Sequence, residues 1–172
     1  VEQKQQLEQW IWNCGTKEQQ ALFQNASSGK NTCCVGKAGT GKTFGVKKIH
    51  DYLEMIFLYP GEIVRIAPLG RVAQHFHYEA RTVHSTMRLY FDTASWSDDD
   101  VVRYLESNKF EVFSKMKVLI GLEMFVMMDC ILMGLLKYIR INHPDTLLLF
   151  EGDPIQISMG KGAQIPVLCQ TD

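Results

Sequence analysis

The chain carries almost no excess charge, with 18 Lys and Arg against 19 Asp and Glu and a formal net charge of −1. Affinity for nucleic acid from bulk charge is thereby excluded, and any such affinity has to come from a local basic face. Its five cysteines, Cys14, Cys33, Cys34, Cys130 and Cys169, include no C-x-x-C pair. That argues against a zinc site or a disulfide scaffold and for a reduced intracellular core. A secretory signal is missing as well, since residues 1–14 are rich in Gln and charge and lack an apolar centre. No long apolar run goes unbroken either. The most apolar stretch, residues 118–136, contains Glu123, Asp129 and two glycines, so it reads as a buried strand followed by a helix rather than a membrane span. What is present is 46% hydrophobic and 22% charged residues over 172 positions, enough for one globular domain with a substantial core. The expected setting is intracellular, nuclear or cytoplasmic, with no membrane.

The most informative stretch is VGKAGTGKT, residues 35–43. It fits G-x-x-x-x-G-K-[ST], with Gly36, Gly41, Lys42 and Thr43 at the required places. A polyphosphate is strongly anionic, so its site needs backbone N–H groups turned inward, and Gly36, Gly39 and Gly41 let the main chain curl closely enough. Lys42 supplies a mobile positive charge, and a helix beginning near Gly41 adds its positive dipole end beneath the phosphates. The Thr43 hydroxyl is placed to ligate Mg²⁺. Nucleoside triphosphate with magnesium is the ligand this loop predicts. Residues 31–35 read as a short buried strand before it, and residues 44–58 as a helix after it, with Val46, Ile49, Leu53 and Ile56 or Phe57 on one apolar face.

Upstream, residues 2–14 form a plausible amphipathic helix with Leu7, Trp10, Ile11 and Cys14 on one side. Thr16 offers an N-cap, and Gln19 three residues on completes a capping box. A Gln just before a P-loop strand can also use its amide to read an adenine edge, so both roles stand open for Gln19. Downstream, residues 62–67 give an apolar strand and residues 71–78 a short helix, so a second α/β unit follows the first. Such alternation predicts a parallel sheet flanked by helices, with ligands gathering at the carboxyl ends of the strands. Arg71 falls on that edge. Two histidines spaced H-x-H, His75 and His77, would point to different helix faces, and with His84 they complete no zinc pattern. Ser97 followed by three aspartates reads as a helix start with Val101, Val102 and Leu105 buried. Residues 117–122 are the third buried strand, residues 127–140 a helix, and residues 146–150 the next strand, leading into EGDPIQIS. A strand-terminal carboxylate beside a P-loop orients attacking water in NTPases, which makes Glu123 the candidate. A competing assignment takes residues 124–128 as the strand and Asp129 as its acid.

In their order and spacing, TKEQQAL, the P-loop, APLGRVA, TVHS, the strand before Glu123 and GDPIQI resemble the first RecA-like domain of superfamily 1B DNA helicases, of the RecD and petite-integration-frequency type. The resemblance implies an α/β, three-layer RecA-like P-loop NTPase domain over residues 15–172, with residues 1–14 as an N-terminal helical appendage. It implies ATP hydrolysis coupled to 5′-to-3′ translocation on single-stranded DNA and to duplex unwinding, in DNA repair and recombination. ATP would be bound by Gln19, Gly36, Ala38, Gly39, Thr40, Gly41, Lys42 and Thr43, with Mg²⁺ at Thr43. Pro68, Gly70, Arg71, His84 and Ser85 would lie along single-stranded DNA. Lys42, Glu123 and Gln156 would form the catalytic group, Gln156 sensing the terminal phosphate.

Three departures accompany that pattern. The family's Asp-Glu pair is Leu122-Glu123 here, its following Ser is Phe125, and the Thr of its APTG stretch is Leu69. Leucine cannot stand in for a carboxylate at a magnesium site. The alternative expectation is therefore a hydrolysis-impaired nucleotide-binding or interaction module, and a small-molecule kinase is disfavoured because no Arg-rich lid segment is visible. The family's second RecA-like domain, which supplies the arginine finger, has no room after GDPIQI and is expected as a partner outside these residues.

Overall fold

The short apolar runs become parallel strands, and the stretches with apolar residues at spacings of three and four become the helices that cover them. The computed structural model describes residues 2–37, 39–57, 59–76, 79–127 and 129–153. In chain order these form α1 (Glu2–Cys14), α2 (Lys17–Ser27), β1 (Thr32–Val35), α3 (Lys42–Glu54), β2 (Ile63–Ala67), α4 (Gly70–Phe76), β3 (Arg81–Thr82) and α5 (Val83–Thr86). There follow α6 (Asp98–Asn108), α7 (Glu111–Ser114), β4 (Val118–Gly121), a 3-10 turn (Met124–Val126), α8 (Asp129–Asn142) and β5 (Leu147–Gly152). The strands lie in the order β1-β5-β4-β2-β3, and every pairing is parallel. All carboxyl ends therefore meet at one rim, which carries the loops after residues 35, 67, 82, 121 and 152.

Side chains alternate across a strand, so each inner strand feeds two cores. Leu147, Leu149, Val118 and Ile120 pack with Val46, Ile49 and Leu53 of α3. On the other face Phe150 and Leu119 pack with Val101 and Leu105 of α6 and with Ile131 and Leu135 of α8. Each fully buried aliphatic side chain contributes roughly 1.5–3 kcal/mol, so these two layers hold the sheet. Close approach of α6 and α8 depends on Gly134, where a Cβ would lie 2.4 Å from Val101 Cβ and 2.8 Å from the Asp98 carbonyl. On α1, Ile11 is buried and Leu7 and Trp10 pack partly against the α3 core, whereas Cys14 is exposed.

The capping boxes read from the sequence are present at α2, from Thr16 and Gln19, and at α6, from Ser97 and Asp100. Other details differ. The P-loop strand is not buried: residues 32–34 are half-covered and Val35 is 45% exposed, because β1 is an edge strand paired only with β5 among the described residues. Helix α3 stops at Glu54 rather than residue 58, so Ile56 and Phe57 lie beyond it, Ile56 exposed and Phe57 partly packed on the core. Strand β5 runs on to Gly152, two residues past the expected end. Residues 124–126 form a 3-10 turn and Asp129 opens α8, which removes the competing strand that would have ended on Asp129.

A polar cluster lies inside the α3 layer. Alternation puts Arg65 of β2 on the same face as Ile63 and Ala67, against α3. There its Nε donates to His50 Nε2 at 2.6 Å, while Nη2 pairs with Glu54 at 2.7 Å. His50 is fully buried, and its ring meets Phe76 edge-on at 5.6 Å. Burial, reinforced by the Arg65 charge and partly offset by Asp51, lowers the His50 pKa from 6.5 to about 4. Neutral His50 therefore favours the folded state above pH 6.5, and that contribution is lost as pH falls from 6.5 toward 4, because the unfolded chain then binds the extra proton. The loss amounts to about 3 kcal/mol. Urea midpoints measured at pH 7 and pH 4.5 should drop less in a His50→Gln variant than in the wild type.

Candidate nucleotide-binding site

The first component of the site is the loop between β1 and α3. Gly39 and Gly41 adopt φ of +80° and +81°, a region closed to most side chains, and Gly41 is the residue before the first turn of α3. The chain reverses here and presents the N-terminus of α3 toward the strand ends. Lys42 Nζ donates to the Lys37 carbonyl at 2.7 Å, and Thr40 Oγ1 donates to the same oxygen at 2.8 Å. The Gly36 N–H donates to the Gly152 carbonyl at 3.2 Å, tying the loop to β5. Ala38, one of the expected ATP-binding residues, lies outside the described residues.

Gln19 reaches this loop from α2. Its Oε1 accepts from the Thr16 N–H at 3.0 Å, and its Nε2 lies 3.4 Å from where a Cβ on Gly41 would stand. The capping role thus uses the amide oxygen and leaves the NH₂ beside the loop.

Leu122 and Glu123 follow β4. Val118, Ile120 and Leu122 share the face toward α3, and Leu122 is 1% exposed. The position at which the motif pattern expects a carboxylate is thus an apolar side chain packed into the core. Glu123 turns back with φ of +49°, a left-handed conformation uncommon for a residue with a side chain. Phe125 packs on Gly152, where a Cβ would lie 2.0 Å from the ring; this is the physical reason a glycine stands at the end of β5.

No local pattern in the sequence singles out Glu151. The two-residue period of β5 carries Leu147, Leu149 and then Glu151 to the α3 face. Assigning residue 150 as the strand end hid that register. Its carboxylate is 1% exposed and accepts the Thr43 hydroxyl, with Oε1 at 3.0 Å and Oε2 at 3.1 Å. Burial pushes the Glu151 carboxyl pKa up, the Thr43 hydrogen bond and Lys42 pull it down, and Glu123 adds to the rise. Cys34, its register partner on β1, has its thiol pKa raised by burial and by the Glu151 charge.

Two adjoining clefts meet here. One, of about 370 Å³, runs along Gly39, Gly41, Lys42 and Phe44 to Asp153. The other, of about 480 Å³, is walled by Leu69, Arg71, Val72 and His75 of the α4 region and by Leu122 and Val126. Thr43, Glu123 and Glu151 line both. The structure thus brings Lys42, Thr43, Glu123 and Arg71 to one place. Pro68 and Gly70 precede Arg71 on the same rim, and His84 and Ser85 are exposed on α5 after the edge strand β3. Gln156 lies outside the described residues, as does His77. The residues that could hold Mg²⁺ are the Thr43 hydroxyl and the nearby carboxylates. Among the described residues no group of three or more His, Cys, Asp or Glu forms a metal cage.

A glycine-lined anion loop at the head of a helix, facing acids at the ends of neighbouring parallel strands, defines a P-loop nucleotide-binding domain. The family model described as AAA domain matches residues 18–161, and the chain belongs to that family. Among solved structures, the Pif1 helicase from Candida albicans is similar, with a TM-score of 0.63 and 23% sequence identity over 81% of this chain and 32% of that one. The chain therefore spans about a third of the length of that helicase, and its fold is the RecA-like fold found there. No curated protein matches the chain. Among the described residues no helix is long and apolar enough to cross a membrane.

Proposed function

We propose that the chain is the ATP-binding half of a 5′-to-3′ DNA helicase motor, in which ATP hydrolysis drives translocation on single-stranded DNA and duplex unwinding. The observation that carries this reading is the pair of clefts joined at Thr43, Glu123 and Glu151, one bounded by the phosphate loop and the other by Arg71. In this reading the loop from Gly36 to Thr43 binds the triphosphate, Lys42 leaves the Lys37 carbonyl for the terminal phosphate, and the Gln19 amide reads the adenine edge. Thr43 helps to hold Mg²⁺, which supplies charge neutralisation of the phosphates. Glu123 orients the attacking water, and Gln156 senses the terminal phosphate. A change at Glu123 then reaches the adjoining cleft, where Arg71, with Pro68, Gly70, His84 and Ser85, holds the DNA strand. A second RecA-like domain would close over the nucleotide from the other side. The segment before residue 15 acts as an appendage to this motor domain.

Two measurements test the reading. Single-stranded DNA should stimulate ATP turnover by the complete protein, and Arg71→Ala should weaken single-stranded DNA binding several-fold while leaving nucleotide affinity unchanged. Turnover indifferent to DNA but raised by a nucleoside would replace the motor with a kinase.

The second reading, a nucleotide-binding or interaction module with impaired hydrolysis, is favoured by one observation: Leu122, 1% exposed, fills the position expected for the magnesium-site carboxylate. Loss of one preorganised electrostatic group costs roughly 3–4 kcal/mol of transition-state stabilisation. Turnover at background level with intact ATP binding would select this module.

A further inference from the structure

We propose that Glu151, at the end of β5, is the magnesium-site carboxylate of this domain, taking the role that Leu122 leaves empty at the end of β4. The assignment rests on the nucleotide-binding reading above and names the residue that completes its metal site.

Three observations converge on it. The Glu151 carboxylate is 1% exposed, yet among the described residues no Lys or Arg lies within ion-pair distance of it. Lys42 and Lys47 act on it only from a distance, and burying a carboxylate with no direct ion pair is costly, so a cation bound beside it would be strongly favoured. The side chain it does engage is Thr43, the hydroxyl that the P-loop motif assigns to magnesium, through both carboxylate oxygens at 3.0 and 3.1 Å. A hydroxyl has one proton and two lone pairs. With its proton directed to Glu151, Thr43 offers its lone pairs to a cation, and the same carboxylate can hold that cation's water shell. Finally, Glu151 and Leu122 line one cleft from adjacent strands, so moving the acid from β4 to β5 keeps it on the α3 face of the sheet.

Magnesium commonly uses one or two protein carboxylates and completes its shell with phosphate oxygens and water, a demand that Thr43 and Glu151 meet together. Glu123 keeps the separate task of orienting water, which leaves one acid for each role despite the loss of the adjacent pair on β4.

The test measures metal affinity rather than turnover. Mn²⁺ binding is followed by electron paramagnetic resonance in the presence of a non-hydrolysable ATP analogue, and the analogue's affinity is measured separately in EDTA. Glu151→Gln should weaken Mn²⁺ binding ten- to a hundredfold, the usual range for groups that orient metal ligands, with affinity in EDTA unchanged. Glu151→Asp should fall between the variant and the wild type, and thermal unfolding verifies that both remain folded. Mn²⁺ affinity within twofold of wild type in both variants overturns the assignment while leaving the P-loop reading intact. Loss of analogue binding in EDTA in both variants overturns it as well, making Glu151 a structural support for the loop. A wild-type chain that binds no analogue with or without Mn²⁺ removes the nucleotide reading and this inference together.

Discussion

Lys42→Ala is expected to weaken binding of ATP or its analogues by roughly a hundredfold, about 3 kcal/mol, the upper end for one hydrogen bond to a charged group. Its ammonium sits on a loop whose glycines bring backbone donors inward, and among the described residues its hydrogen-bond partner is the Lys37 carbonyl, 2.7 Å away. That neutral acceptor is five residues off in the same loop, so the bond is readily exchanged for a phosphate oxygen carrying full charge. Deleting the ammonium removes no buried contact of the core, and the unfolding midpoint should stay near that of the wild type. Fluorescent nucleotide titration checks the expectation. An unchanged affinity in a folded variant would mean that the loop does not bind phosphate.

Glu123→Gln has the other large expected effect, on turnover rather than binding. The residue projects from a left-handed turn immediately beyond β4 and lines both clefts. Gln keeps the length of the side chain and the hydrogen-bonding oxygen but cannot take a proton or carry charge. In the complete protein with single-stranded DNA, kcat should fall about a hundredfold to a thousandfold, equivalent to roughly 3–4 kcal/mol of barrier. ATP affinity should change less than a few-fold. The contrast with Glu151→Gln is informative, because that variant should lose metal affinity first. If kcat survives Glu123→Gln, the water-orienting role belongs to another group.

Much of the fold could be read from local patterns, and the reasons are visible at particular residues. Ser97 and Thr16 cap helices with their own side chains, so the start of each helix is encoded within four residues. Spacings of three and four placed Val46, Ile49 and Leu53 correctly in the core. The P-loop was legible because its chemistry lies in one contiguous stretch. Its position at a sheet edge was not, since the neighbour of a parallel strand is set by crossovers that no local pattern reports; hence the half-covered residues 32–34 and exposed Val35. Glu151 stayed hidden for a related reason. An acid after a run of Leu and Phe reads as the residue beyond a strand, until the pairing of Cys34 with Glu151 and of Val35 with Gly152 extends that strand. Only then does the two-residue period turn its carboxylate toward Thr43. Leu122 marks locally where the family pattern lacks its acid, whereas the acid that meets the Thr43 hydroxyl on the neighbouring strand is placed there by sheet order alone.

On this mechanism the rim loop from Gly36 to Thr43 holds a nucleoside triphosphate against the acids at the strand ends. The most direct test is a crystal structure of the chain grown with a non-hydrolysable ATP analogue and Mn²⁺, the metal located by its anomalous signal. The account predicts the terminal phosphate on Lys42 Nζ, and the metal beside Thr43 on the side of Glu151, with Glu123 facing the terminal phosphate. A nucleotide bound elsewhere, with Lys42 still on the Lys37 carbonyl, would contradict it.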